Sequence, residues 1–129
     1  MPEQEESKNP YSGISKRIGD VDCSEKLIDI EELRELISER KILWREHALQ
    51  RMRERNISKM DVKNAIHHGE IIEDYPDDYP APSCLLLGCS VRGRYIHVVC
   101  GILDDTAVII TAYAPSLNLW ESDLRTRRL

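Results

Sequence analysis

The hydrophobic period of this chain changes once, near Gly69, and that change limits the fold more than any other feature. Before it, apolar residues recur at helical spacing; after it, they run in short continuous or alternating blocks. "DIEELRELISER" reads as a helix, with Asp29 as cap, acids in its first turns and Leu33, Leu36 and Ile37 as its apolar stripe. A second helix fits residues 45–55, where Ala48, Leu49 and Met52 share a face beside a stripe of His47, Arg51 and Arg55, and Asn56 suits a left-handed stop. Ser58 opens a third helix, with Asp61 in the position of a capping-box acid, Val62, Ala65 and Ile66 facing inward and Gly69 closing it. "EIIEDY", "CLLLGCSV", "YIHVVCGIL" and "AVIITAY" then read as strands. The expectation is an α+β domain of N-terminal helices packed on an antiparallel sheet of about four strands.

Length and composition fit that picture. The chain has 129 residues, enough for one domain, and no Phe, so its core must be largely aliphatic. Residues 1–28 carry Pro, Gly, Ser and charge without period and read as a flexible extension, leaving 29–129 as the single domain. No apolar run approaches the roughly 20 residues that cross a bilayer, and the polar, acidic start lacks the features of a secretory signal. A cytoplasmic protein without a membrane partner is expected. Cys23, Cys84, Cys89 and Cys100 have no metal-ligand spacing and read as reduced, mostly buried thiols, so neither metal nor cofactor is expected.

The net charge of −5 hides an uneven distribution. Residues 40–68 hold 8 basic and 3 acidic side chains, between flanks of net −6 and −4. Such a stripe is either a solvated face paired with nearby carboxylates or a docking surface for phosphates or an acidic partner.

The strand register bears on His97. If Arg92 and Gly93 are the two central turn residues, Leu87 faces Val98, Leu85 faces Cys100, and that apolar face packs on the helices. His97 then lies on the other face, opposite Gly88, which leaves room above the imidazole. A two-residue loop at Asp104-Asp105 sends Tyr113 away from His97, and a three-residue loop sets the two opposite each other. Because both sheet faces carry aliphatic residues, the face without helices needs a cover: a partner, a second copy or the C-terminal segment. That segment reads either as a basic tail anchored by Trp120 or as a phosphate clamp bearing Arg125, Arg127 and Arg128.

One resemblance gathers these residues. H-A-x-x-R-M-x-x-R from His47 to Arg55, Ile57-Ser58, G-E-I-I-E-x-Y from Gly69 to Tyr75, P-x-P-S from Pro80 to Ser83, His97-Val98-Val99 and T-x-Y-x-P from Thr111 to Pro115 closely resemble the bacterial domain of unknown function 4258. The likeness covers residues 41–128, with Asn56 where that family usually has Gly. The family is itself similar to the RelE and BrnT toxins, small α+β ribonucleases of toxin–antitoxin pairs. The resemblance implies a RelE-like fold, a toxin of a type II system that cleaves RNA without a metal, and an antitoxin protein or a second copy as partner. Such a reaction needs a group to take the 2′-hydroxyl proton, positive charge on the scissile phosphate and an acid for the leaving oxygen. By motif position and chemistry, His47, Arg51, His97 and Tyr113 are the catalytic candidates, and Arg55, Arg94 and Arg128 the nucleic-acid contacts. The alternative is a non-enzymatic module whose basic helix binds a partner protein, with its arginines in ion pairs to Glu70, Glu73 or Asp74.

Overall fold

In the computed structural model, which describes residues 27–128, the described helices lie before Gly69 and four of the five strands after it. Asp29 has an extended backbone and its side chain accepts the Glu31 N–H, starting α1 (Ile30–Ser38). Arg40 then takes a left-handed conformation (φ 64°), and Lys41 N–H returns to Leu36 O at 2.9 Å, a Schellman closure. Asn56 (φ 58°) ends α2 (Glu46–Glu54) the same way, with Ile57 N–H on Met52 O. α3 (Lys59–His68) begins on a complete capping box between Ser58 and Asp61. Gly69 is extended there, not left-handed. A side chain is excluded because its Cβ would lie 2.3 Å from Leu87 O.

A five-stranded sheet follows, in the order β1-β5-β4-β3-β2. β2 (Glu70–Tyr75), β3 (Ser83–Cys89), β4 (Tyr95–Leu103) and β5 (Thr106–Tyr113) form the expected antiparallel meander. The sequence reading missed β1 (Ile42–Trp44), which pairs parallel to β5 and makes the sheet mixed.

The register differs from expectation at the first hairpin and combines the two open alternatives at the second. Ser90 and Arg94 close the first loop, with Ser90 N–H on Arg94 O at 2.7 Å, so it spans three residues and Gly93 supplies the positive φ of 90°. His97 therefore pairs with Leu87, not Gly88, and every β3 side chain lies on the face opposite to the one read from the sequence. Gly88 instead receives α3: a Cβ there would lie 2.7 Å from Ala65 Cα and Cβ. At the second hairpin, Asp104 and Asp105 both have positive φ (52° and 57°), the signature of a two-residue type I′ turn. Tyr113 still faces His97, because a bulge at Ile110 advances β5 by one residue.

All three helices cover one face. Leu33, Leu36, Ile37, Ala48, Met52, Val62, Ala65 and Ile66 meet Cys84, Leu86, Ile96, Val98, Cys100, Ala107, Ile109 and Ala112 in an aliphatic core. Leu85, Val99, Tyr75 and Tyr113 point to the other face, where Trp120 closes over them. The C-terminal segment, one of the three expected covers, thus serves here. Its arginines hold it to β2: Arg125 pairs with Glu70, Arg127 with Glu73 at 2.8 Å, and the Arg127 guanidinium lies over the Trp120 ring. The flexible extension expected over 1–28 falls on residues outside those described, apart from Leu27 and Ile28, and so does Cys23. Cys84, Cys89 and Cys100 are free thiols.

Candidate functional site

The sequence sets His47, Arg51 and His97 around one cleft and leaves the place of the fourth catalytic candidate, Tyr113, open. The structure divides them into two pairs. His97 and Tyr113 are both fully buried under the C-terminal segment. A carbonyl can only accept, so the 2.8 Å contact of His97 Nε2 with Leu124 O places the proton on Nε2. Nδ1 is then left to accept from the Tyr113 hydroxyl at 3.3 Å. The Trp120 ring stands edge-on to the imidazole, with centroids 4.6 Å apart. Burial is the main cause that lowers the His97 pKa, to about 4, with Arg127 acting in the same sense and the Leu124 carbonyl and Glu73 against it. His97 is thus a neutral, sequestered side chain whose nitrogens both serve the tail and β5. The register shift explains why: Gly88 does not open space above the ring, and Trp120 occupies that space.

His47 and Arg51, one turn apart on α2, line a cleft of about 360 Å³ on the same sheet face. The tail covers part of this face, including His97 on β4 and Tyr113 on β5, and the cleft adjoins it toward the β4–β5 hairpin. Its floor is Val99, Gly101, Val108, Ile110 and Thr111. One wall is the β2–β3 connection from Asp78 to Pro82, pressed so close that a Cβ on Gly101 would lie 2.5 Å from Pro82 O. The opposite wall is the turn from β1 into α2, with Arg45, His47 and Arg51. Arg45 is the N-cap of α2, with no side-chain capping bond, and its N–H reaches Ile109 O at 3.3 Å. The helix dipole therefore adds its positive end to the same wall.

Three features of the cleft escaped the sequence. Arg45 joins it because the parallel strand β1 carries the chain to the β5 edge. Tyr79, 94% exposed, stands in the opposite wall with Asp78, whose carboxylate accepts from the Ser83 hydroxyl. Thr111 lies in the floor, and its buried Oγ1 has no hydrogen-bond partner among the described residues. A helical or alternating pattern gives no sign of such a hydroxyl; only its place in T-x-Y-x-P marks it.

The three expected nucleic-acid contacts do not line this cleft. Arg55 donates to Ala112 O at 2.8 Å, fastening α2 to β5. Arg94 donates to Arg55 O and Asn56 O, capping the end of α2 from the β3–β4 loop. Arg128 donates to Leu117 O and pairs with Glu121 inside the tail. Arg34, which the sequence reading passed over, does similar work, holding the end of α3 through Ile66 O and Gly69 O.

A model of the family described as domain of unknown function DUF4258 matches residues 44–114. The chain belongs to that family. The match takes in every residue that lines the cleft of this DUF4258 domain, while α1 and the Trp120 tail lie outside it. No curated protein and no solved structure matches the chain. No described helix is long and apolar enough to cross a membrane. The cleft of the DUF4258 domain is lined by two guanidiniums, Arg45 and Arg51, by the His47 imidazole and, on the facing side, by the Asp78 carboxylate.

Proposed function

We propose that this DUF4258 protein binds single-stranded RNA in the cleft and cleaves it, as a RelE- and BrnT-like toxin that works with an antitoxin protein or a second copy of itself. The observation that carries the reading is the convergence of Arg45, His47 and Arg51 on one open cleft of nucleotide size. Arg45 and Arg51 contact the scissile phosphate and stabilise the charge that gathers on it. The His47 imidazole takes the 2′-hydroxyl proton. The 2′-oxygen attacks the adjacent phosphorus, the bond to the 5′-oxygen breaks, and that oxygen takes a proton from solvent. The products are a 2′,3′-cyclic phosphate and a 5′-hydroxyl. His97 and Tyr113 take no part in the reaction and serve the fold, holding the tail against the sheet.

The test is the full chain with single-stranded RNA, with and without a chelator, followed by analysis of the ends formed. The expected result is chelator-resistant cleavage that leaves cyclic phosphate ends. His47→Ala should lower the rate by roughly 10²- to 10⁴-fold with the fold intact. The second reading, a partner-binding module without activity, is favoured by one specific observation: a single imidazole lines the cleft. RNA bound and left whole, at the same affinity by wild type and His47→Ala, supports that reading instead.

A further inference from the structure

Thr111 stands apart from the apolar side chains around it. Its hydroxyl is buried in the cleft floor without a hydrogen-bond partner among the described residues. Buried polar atoms without a protein partner are uncommon enough to need a cause. Packing does not require it, because valine has the same shape without the hydroxyl. Around it the floor is apolar, with Val99, Val108 and Ile110. Tyr79 offers an exposed ring in the facing wall, and the cations lie in the other wall. The site therefore has a charged side, an apolar floor with one donor–acceptor group, and an aromatic face.

We infer that the cleft is a subsite for one unstacked nucleotide, with its base on Tyr79 and against the apolar floor, a base-edge polar group on the Thr111 hydroxyl, and its phosphate on Arg45, His47 and Arg51. This rests on the reading of the cleft as an RNA site. The volume of about 360 Å³ lies at the lower end of ordinary small-ligand sites, roughly 300–1,000 Å³, and suits one nucleotide rather than a folded surface. Single-stranded RNA is recognised in this manner, by stacking splayed bases on aromatic rings and reading their edges. A hydroxyl both donates and accepts, so Thr111 fixes the base in place without selecting strongly among bases. The Thr111 oxygen is buried, so contact with a ligand requires the floor to shift there, where the bulge at Ile110 interrupts the β4–β5 ladder beside it. An acidic protein segment would use the cations but not the ring and the buried hydroxyl.

The test is calorimetric titration of the full chain with the four nucleoside 3′-monophosphates, inorganic phosphate and a glutamate-rich peptide. The nucleotides should bind at least tenfold more tightly than phosphate. Thr111→Val should melt at or above the wild-type temperature and bind nucleotides roughly tenfold more weakly, with phosphate affinity unchanged. Thr111→Ser should restore nucleotide affinity. Tyr79→Ala should weaken nucleotide binding roughly fivefold or more, again without an effect on phosphate. Nucleotides that bind no better than phosphate, a Thr111→Val protein with wild-type affinity, or binding of the peptide alone would overturn the inference. If RNA is still cleaved in those cases, the cleavage reading survives without the base subsite. If nucleotides bind as expected and RNA stays whole, the subsite stands and the cleavage step falls.

Discussion

The two faces of the sheet are built in opposite ways. The helix face is closed by the three described helices over a largely aliphatic core. The other face mixes aromatic, aliphatic and polar side chains, and it is covered over only part of its area. Under the tail, Trp120, Tyr75, Tyr113 and His97 form a second, smaller core. Beyond the tail the same face opens into the cleft with His47, Arg51 and Thr111. A histidine on this face is thus structural or available according to whether Trp120 reaches it. The proposed chemistry lies in the uncovered half, and motif membership alone does not separate the two halves.

The sharpest way to break the comparison is to remove the cover. Trp120→Ala should cost about 3–5 kcal/mol, and Leu86→Ala in the helix-face core about 2–5 kcal/mol. Denaturant unfolding measures both. A Trp120→Ala loss below about 1 kcal/mol would make the tail an appendage and leave His97 accessible.

A smaller effect concerns acidity. His97 has a folded pKa of about 4, against roughly 6.5 in an unfolded chain. As pH falls from neutral, the unfolded state takes up this proton first, so stability drops between about pH 6.5 and 4 and levels off below that. The drop should be about 3 kcal/mol at most, read from unfolding midpoints against pH. His97→Asn, which retains a donor for Leu124 O, should lose this slope. A slope that persists unchanged in the variant would place it elsewhere.

Smaller again is the change at Thr111. Thr111→Val should leave stability unchanged or raise it by up to about 1 kcal/mol, since it removes a buried hydroxyl with no described partner. A loss of more than that would mean the hydroxyl is satisfied in solution without a ligand.

What the sequence made legible was local. Asp29, Ser58 with Asp61, and Asn56 act within a turn of where they stand, so the helix boundaries could be read from them. The four strands of the meander were legible as blocks for the same reason. What failed turned on single residues acting over distance. Arg92-Gly93 resembles a two-residue turn, yet Ser90 closes a three-residue loop, and one residue of slip moved all of β3 to the other face. The bulge at Ile110 has no marker in "AVIITAY", and "ILW" is too short to show a period, so β1 and the place of Arg45 were hidden. His47 and Arg51 were found because helical spacing is local; His97 was misjudged because its environment depends on Trp120, far along the chain.

The comparison of the two halves reduces to one measurement: the rate of RNA cleavage per folded molecule in His47→Ala and in His97→Asn, with melting temperatures taken on the same samples. The account predicts that His47→Ala keeps its melting temperature and loses roughly 10²- to 10⁴-fold in rate, whereas His97→Asn melts earlier but cleaves nearly as wild type once folded. A His47→Ala protein with full activity, beside a stable but inactive His97→Asn protein, would contradict it.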